Sequence, residues 1–163
     1  MVDATSTAAF RESLAHFASG VTIITMRGPE GPVGFTASAF SSVSLDPPLI
    51  LVCVGKQASL HDRFMVHAHF GVSILAHDQA WIASQFSQKQ IDRFRDVPLR
   101  EGPFADVPLI DGALVHLECR CHERHPAGDH TIVLGRVLHT SSTHGRPLIH
   151  YKRSFGGFSG EKA

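Results

Sequence analysis

Leu49-Ile50-Leu51-Val52-Cys53-Val54 is an unbroken apolar run, preceded by Asp46-Pro47-Pro48 and followed by Gly55-Lys56. It is too short for a helix of ordinary length, and consecutive prolines fix φ and remove ladder donors just before it. The run therefore predicts a strand covered on both faces. Upstream, Val21-Thr-Ile-Ile-Thr-Met26 is β-branched almost throughout and reads as a second buried strand. Gly28-Pro29-Glu30-Gly31-Pro32 supplies a turn, and Val33-Gly34-Phe35-Thr36 returns as the other arm of a hairpin.

Further out the pattern stays strand-rich. Phe10, Leu14 and Phe17 recur at i, i+4 and i+7 beside Ala18, one apolar helical stripe that Gly20 would stop. Leu60, Phe64 and Met65 predict a short helix, Phe70–Leu75 a strand, and Asp78 a cap for a helix carrying Trp81, Ile82 and Phe86. From Asp92 to Pro108 the chain is charged and proline-spotted, without a period, and reads as a surface loop or lid. Leu114–Cys121 alternates, setting Leu117, Cys119 and Cys121 on one face and His116, Glu118 and Arg120 on the other. His125–His130 reads as a connection, Thr131–Leu138 as a long strand and Pro147–Tyr151 as a last short one. Strands do not alternate regularly with helices. The expected class is therefore mainly β, an antiparallel, closed or nearly closed β-barrel with short helices, in one domain over 1–163 with a flexible lead at 1–8.

Composition narrows the function. The 163 residues are 43% hydrophobic and 18% charged, in the globular range. Fifteen Lys+Arg balance fifteen Asp+Glu, which argues against a nucleic-acid polymer as partner, since that needs a basic face. Twelve histidines make the surface potential unusually sensitive to acidity. Three cysteines cannot form a full disulfide framework, and Cys119 and Cys121 lie too close to pair readily. No run approaches the ~18–20 apolar residues of a membrane span, and Met1–Thr7 lacks a basic signal-peptide start. A soluble cytoplasmic protein is expected.

Several familiar sites are missing: no Gly-x-Gly-x-x-Gly after a strand, no phosphate loop at Gly55-Lys56, no Gly-x-Ser-x-Gly and no His-Glu-x-x-His. Cys119-x-Cys121-His122-x-x-His125 has zinc-type ligands, but strand alternation turns Cys121 and His122 to opposite faces, so no metal is expected. Gly34–Ser44 is rich in small residues and hydroxyls. It suits either an edge strand with a polar face or a surface where amides and hydroxyls meet a flat, heteroatom-rich ligand. Gly55-Lys56-Gln57-Ala58-Ser59 enters a helix and reads as an ordinary capped loop or as an anion site.

Phe17–Thr25, Gly31–Ser38, Ser41–Leu49, Asp92-Arg93-Phe94, Gly128-Asp129-His130 and Arg146-Pro147-Leu148 with Tyr151 fall in one order along the chain. In that order the sequence resembles the flavin-reductase-like family, small NAD(P)H:flavin oxidoreductases that feed two-component monooxygenases, from about Phe10 to Phe158. The resemblance implies an FMN-binding split barrel, usually a homodimer with its site near the subunit interface. It places Gly34, Phe35, Thr36, Ala37 and Ser38 along the ring and ribityl parts of FMN or FAD. Cys53, Val54, Gly55, Ser59 and Leu60 approach the ribityl phosphate, and Phe86 and Ser87 complete the pocket. It gives His130 the catalytic place facing the nicotinamide of NADH (or NADPH), and Tyr151 a hold on that nucleotide. Lys152-Arg153 departs from the family's basic residue and glycine at this point.

The implied reaction passes hydride from nicotinamide to flavin, with amides and hydroxyls around Thr36–Ser38 stabilising the charge that develops, and the reduced flavin going to a separate oxygenase. Two alternatives remain. One is an electron carrier of the same fold that keeps FMN and reacts poorly with NAD(P)H. The other is a zinc-stabilised interaction module built on Cys119, Cys121, His122 and His125.

Overall fold

Ser6 starts the first helix, α1 (Thr7–Leu14), its hydroxyl accepting the Ala9 N–H at 3.2 Å. The computed structural model describes residues 5–158 and 160. Of the lead expected to be flexible, residues 1–4 lie outside that range, and Thr7 is already helical.

Next come β1 (Ser19–Gly20), β2 (Thr22–Gly28), β3 (Gly31–Ala37), β4 (Phe40–Leu45) and β5 (Pro48–Gly55). The middle of the chain holds α2 (His61–Val66), β6 (His69–Ile74), a 3₁₀ turn (His77–Gln79), α3 (Ala80–Ser87), β7 (Leu99–Glu101) and β8 (Pro108–Ile110). It closes with β9 (Val115–Ala127), β10 (His130–Ser142), β11 (Leu148–Tyr151) and β12 (Ser154–Gly157).

Seven strands form one antiparallel sheet in the order β3-β2-β6-β9-β10-β5-β4. A small sheet β1-β11-β12 and the pair β7-β8 flank it. The class is the expected one, mainly antiparallel β with short helices. The sheet is not closed, because β3 and β4 end it without pairing to each other. It curls instead, bringing β3 near β5.

The apolar letters of β2 are explained by burial on both sides. Ile24 and Met26 join Val52, Val54, Phe64 and Phe70 in one core, while Val21 and Ile23 join Leu75, Ile82, Phe86 and Ile110 in another. Alternation thus feeds both layers from a single strand. Gly135 is required where β10 crosses Phe70, since a Cβ there would lie 2.5 Å from the ring's Cζ.

Several expectations need correcting. The stripe of α1 faces outward: Phe10 and Leu14 are 55% and 56% exposed, and Phe17, beyond the helix end, is 78% exposed. Asp78 does not cap its helix. Gln79 does the equivalent work, accepting from Ala76 N–H at 3.0 Å and donating to Asp111 O at 2.8 Å. The segment 92–108 is no structureless lid, since β7 pairs with β8 and Val97 and Val107 are buried. The 125–130 connection shrinks to Gly128-Asp129, because β9 runs on to Ala127.

On β9 the polar face is also buried at His116 and Glu118, while Arg120 is exposed. His116 Nε2 meets Ile110 O at 2.7 Å. Glu118 is 0% exposed and accepts N–H groups of Phe104 (2.9 Å) and Ala105 (2.6 Å). The 102–105 stretch roofs a carboxylate that alternation alone would leave in water. No helix among the described residues is long and apolar enough to cross a membrane.

Candidate functional site

Between the curled β3 and β5 lies a cavity of about 360 Å³, within the size range of small-molecule and cofactor sites. From β3 and its exit it takes Phe35, Thr36, Ala37 and Ser38; from β5, Cys53, Val54 and Gly55. The loop into α2 adds Ser59 and Leu60, α3 adds Phe86 and Ser87, and the start of β10 adds His130. Twelve of the residues singled out from the sequence therefore meet in one hollow. Gly34 lies beside it, in an adjoining hollow of about 260 Å³ that shares Ser59 and Leu60 with the first. Tyr151 is not among the lining residues. It stands on β11, its ring edge-on to His16 with centroids 6.5 Å apart.

Four lining residues were not singled out: Ala39, Ala58, Lys89 and Arg93. Arg93 matters most. Its Nη1 donates to Gly34 O and its Nε to Gln88 O, each at 2.9 Å, and it lines both hollows. Its signal was the Asp92-Arg93-Phe94 triplet, read as part of a surface loop and as one segment of the family resemblance, without a place in the pocket. Burial pulls the Arg93 guanidinium below its ordinary pKa, yet a guanidinium stays charged in a protein.

Backbone orientation follows from that contact. Residue N–H and C=O groups in a strand point to the same side and alternate along it. Since Arg93 takes Gly34 O on the side of β3 away from β2, the amides of Gly34 and Thr36 also face that unpaired side. The Thr36 hydroxyl proton goes elsewhere, to Ala83 O at 2.7 Å, tying β3 to α3. Ser87 likewise donates to Ser84 O at 2.7 Å. Thr36 therefore offers the cavity its main-chain donor rather than its hydroxyl, while the exposed Ser38 also lines the wall. Ser41 and Ser42, grouped with them in the sequence, lie on β4 outside the cavity.

At the opposite wall, Lys56 is not an anion ligand in waiting. Its Nζ donates to Gly128 O at 2.6 Å and its N–H to Asp129 O at 2.9 Å, bracing the β9–β10 turn. The turn needs Gly128 at φ +59°. It delivers His130 over Gly55, with Nδ1 2.8 Å from Asp129 Oδ1. The hydrogen bond from His130 and then its charge hold the Asp129 carboxyl below the usual range. Ser59 does not cap α2; Leu60 occupies that place without a side-chain bond. Burial pushes the Cys53 thiol up, so it lines the wall as a neutral group.

Among the described residues, Lys89, Arg93 and His130 are the titratable nitrogens lining the cavity, and no carboxylate lines it. Apolar walls, main-chain donors on the free edge of β3 and cations without acids suit a flat, hydrogen-bonding ring joined to a phosphate. The residues present therefore fit a flavin nucleotide. The cysteine–histidine motif does not assemble: Cys119 is in the core, while His122 and His125 turn outward toward Glu123. A larger apolar groove of about 760 Å³ lies beyond the far wall, lined by Leu14, Phe17, Leu51 and His150 among others, and shares Ser38, Ala39 and Cys53 with the cavity.

Residues 14–159 match the family described as flavin reductase like domain. An FMN reductase (NADH) SmoA of Agrobacterium fabrum is 41% identical over 153 residues, which is 92% of this chain and 85% of that protein. The reductase subunit HsaB of a flavin-dependent monooxygenase from Rhodococcus jostii is 34% identical over 154 residues, covering 94% of this chain and 78% of that one. Among solved structures, the NADH:FAD oxidoreductase SgcE6 of Streptomyces globisporus, in complex with NAD and FAD fragments, superposes with a TM-score of 0.93. It is 36% identical and covers 100% of this chain and 99% of its own.

Proposed function

The chain belongs to the flavin reductase like domain family, and from that premise we propose that it is an NADH-dependent flavin reductase. It moves hydride from NADH to FMN or FAD and supplies the reduced flavin to the oxygenase component of a two-component monooxygenase. The observation that carries this reading is the cavity itself: main-chain donors of β3, the braced guanidinium of Arg93 with Lys89 beside it, and no acid among the described lining residues.

Flavin, when bound, supplies the hydride-accepting ring system, and the chain supplies position and electrostatics. The amides on the unpaired side of β3 would hold the ring's heteroatoms and stabilise negative charge there. Arg93 and Lys89 would hold the phosphate. Phe35 and Phe86 give the hollow apolar walls that exclude water from the reacting faces. His130, at the mouth, would orient the nicotinamide, which is the proximity that makes transfer fast. Neither a triad nor a buried general acid is needed for this chemistry, and the described residues of the cavity lining contain none.

The same reading makes the protein a single domain working as a homodimer. What supports the dimer is the outward apolar set Phe10, Leu14 and Phe17 beside the groove that shares a wall with the cavity. Three unpaired cysteines support a reducing, cytoplasmic setting. Purified protein given NADH with FMN, and separately with FAD, is expected to consume NADH with at least one of them. Failure with both, in protein whose circular dichroism shows it folded, would remove the reductase reading.

A further inference from the structure

The hairpin between β11 and β12 turns on Lys152 and Arg153, and both stand at positive φ, 47° and 63°. A loop of that kind is ordinarily met by Asn-Gly, because a side chain crowds the left-handed backbone. Such strain persists only where the surroundings hold it. Here the Lys152 N–H donates to Ala15 O at 3.0 Å, docking the turn on the end of α1, and the Lys152 ammonium lies 5.8 Å from the centre of the Tyr151 ring. The turn so held carries Arg153 to the groove of about 760 Å³. That groove is largely apolar, but its formal charge is of one sign. Among the described residues Arg11 and Arg153 line it and no carboxylate does. Arg153 Nη2 is 3.4 Å from Glu12 Oε2, with both side chains mostly exposed, a contact worth little in water and easily exchanged.

We propose that Arg153, with Arg11, takes a phosphate carried on the adenosine ribose of the hydride donor, so that the protein accepts NADPH as well as NADH. The proposal rests on the reductase reading and widens its donor. Groove and flavin cavity have Ser38, Ala39 and Cys53 in common. Arg11 links them further: after the hydrogen bond and charge of His130, its charge also helps hold the Asp129 carboxyl low, so it stands between the β9–β10 turn and the groove. A dinucleotide with its nicotinamide beside His130 can therefore run out past Arg11. The 2′-phosphate is the one group that distinguishes NADPH from NADH. It is nearly dianionic at neutral pH, and a guanidinium fork meets two of its oxygens together. Glu12 competes for the same fork and so limits the gain.

The test has two parts, both with flavin saturating. NADH oxidation is inhibited with 2′,5′-ADP, with 5′-AMP, and with 5′-AMP plus inorganic phosphate. Then kcat/KM is measured for NADPH and NADH in the wild type, Arg153→Ala, Arg153→Lys, Arg153→Gly and Glu12→Gln. In the wild type 2′,5′-ADP is expected to inhibit at about three- to thirtyfold lower concentration than 5′-AMP, the worth of a charge-assisted contact reduced by exposure. Free phosphate should not reproduce the difference. Arg153→Ala should remove most of it and lower the NADPH-to-NADH ratio by the same factor, while Arg153→Lys, charged but without the fork, should keep part. Glu12→Gln, which frees the fork, should raise the ratio. Effects common to both donors cancel in that ratio. Arg153→Gly relieves the positive φ, so it should melt no lower than the wild type and still lose the ratio. Equal inhibition by the two fragments, an effect matched by free phosphate, a wild type that oxidises NADH but not NADPH, or a ratio unmoved in Arg153→Ala and Arg153→Gly would overturn the proposal. A wild type that oxidises neither donor with either flavin would instead overturn the reductase reading, a distinct result.

Discussion

Replacing Arg93 with lysine separates a brace from a charge. The guanidinium reaches Gly34 O through Nη1 and Gln88 O through Nε, both at 2.9 Å, so one planar group joins the edge of β3 to the loop after α3. Lysine keeps the charge but has one nitrogen and no fork, and cannot span both carbonyls. Hydrogen bonds to a charged donor contribute about 1.5–3 kcal/mol each when buried. Arg93 is only partly buried, which lowers the sum to about 1–3 kcal/mol. That energy holds the loop against the strand before flavin arrives. Without it the binding-competent arrangement is less populated, and apparent affinity falls by the same factor. Arg93→Lys and Arg93→Ala are therefore both expected to raise the flavin Kd about 5- to 150-fold, read by quenching of flavin fluorescence in a titration with FMN and with FAD. An Arg93→Lys protein within twofold of wild type, beside a weak Arg93→Ala, would show that charge alone matters and refute the reasoning.

Two further predictions concern β9. Glu118→Ala orphans the Phe104 and Ala105 amides and should cost about 2–4 kcal/mol, while Glu118→Gln, which can accept both, should cost about 1 kcal/mol or less; urea denaturation distinguishes them. Burial, and then the neighbouring Glu118 charge, push the Cys119 thiol up to about 12 from an ordinary 9.0. Between those values the unfolded chain releases a proton that the folded chain retains. Stability therefore falls as pH rises there, by at most about 1.4 kcal/mol per unit. Cys119→Ala should be less stable at neutral pH, through its cavity, but should lose less of its remaining stability on going alkaline. Equal alkaline slopes in the two proteins would contradict the assignment.

Much of this was legible from letters because burial writes a period into sequence. Val21–Met26 was readable as a strand since both its faces meet apolar neighbours, whereas Leu49–Val54 is a strand covered on one face only: Ile50, Val52 and Val54 enter the core, and Leu51 and Cys53 line the open groove instead. Phe35, Cys53, Gly55 and His130, far apart in the chain, were joined by the resemblance rather than by any local pattern; the curl of the sheet is what unites them. Local pattern failed where a tertiary partner overruled it. Nothing near Glu118 announces the 102–105 roof, and nothing near Thr36 says that its hydroxyl is claimed by Ala83. The stripe Phe10, Leu14 and Phe17 has the period of a buried helix face but lies outward in the single chain. Periodicity reports that a face is apolar, without saying what covers it.

The open sheet has a bearing on solubility. A row of unsatisfied main-chain groups invites strands from other molecules, and with them fibrous association. Here one margin is blunted by the guanidinium clasped on Gly34 O, and the other is kinked by the irregular register between Ser42 and Ser44. The first device leaves room for a small guest while discouraging an extended peptide. Arg93 would thus guard the protein against self-templating as well as helping it hold its ligand, and crowded, ligand-starved conditions are where its loss should turn solutions cloudy.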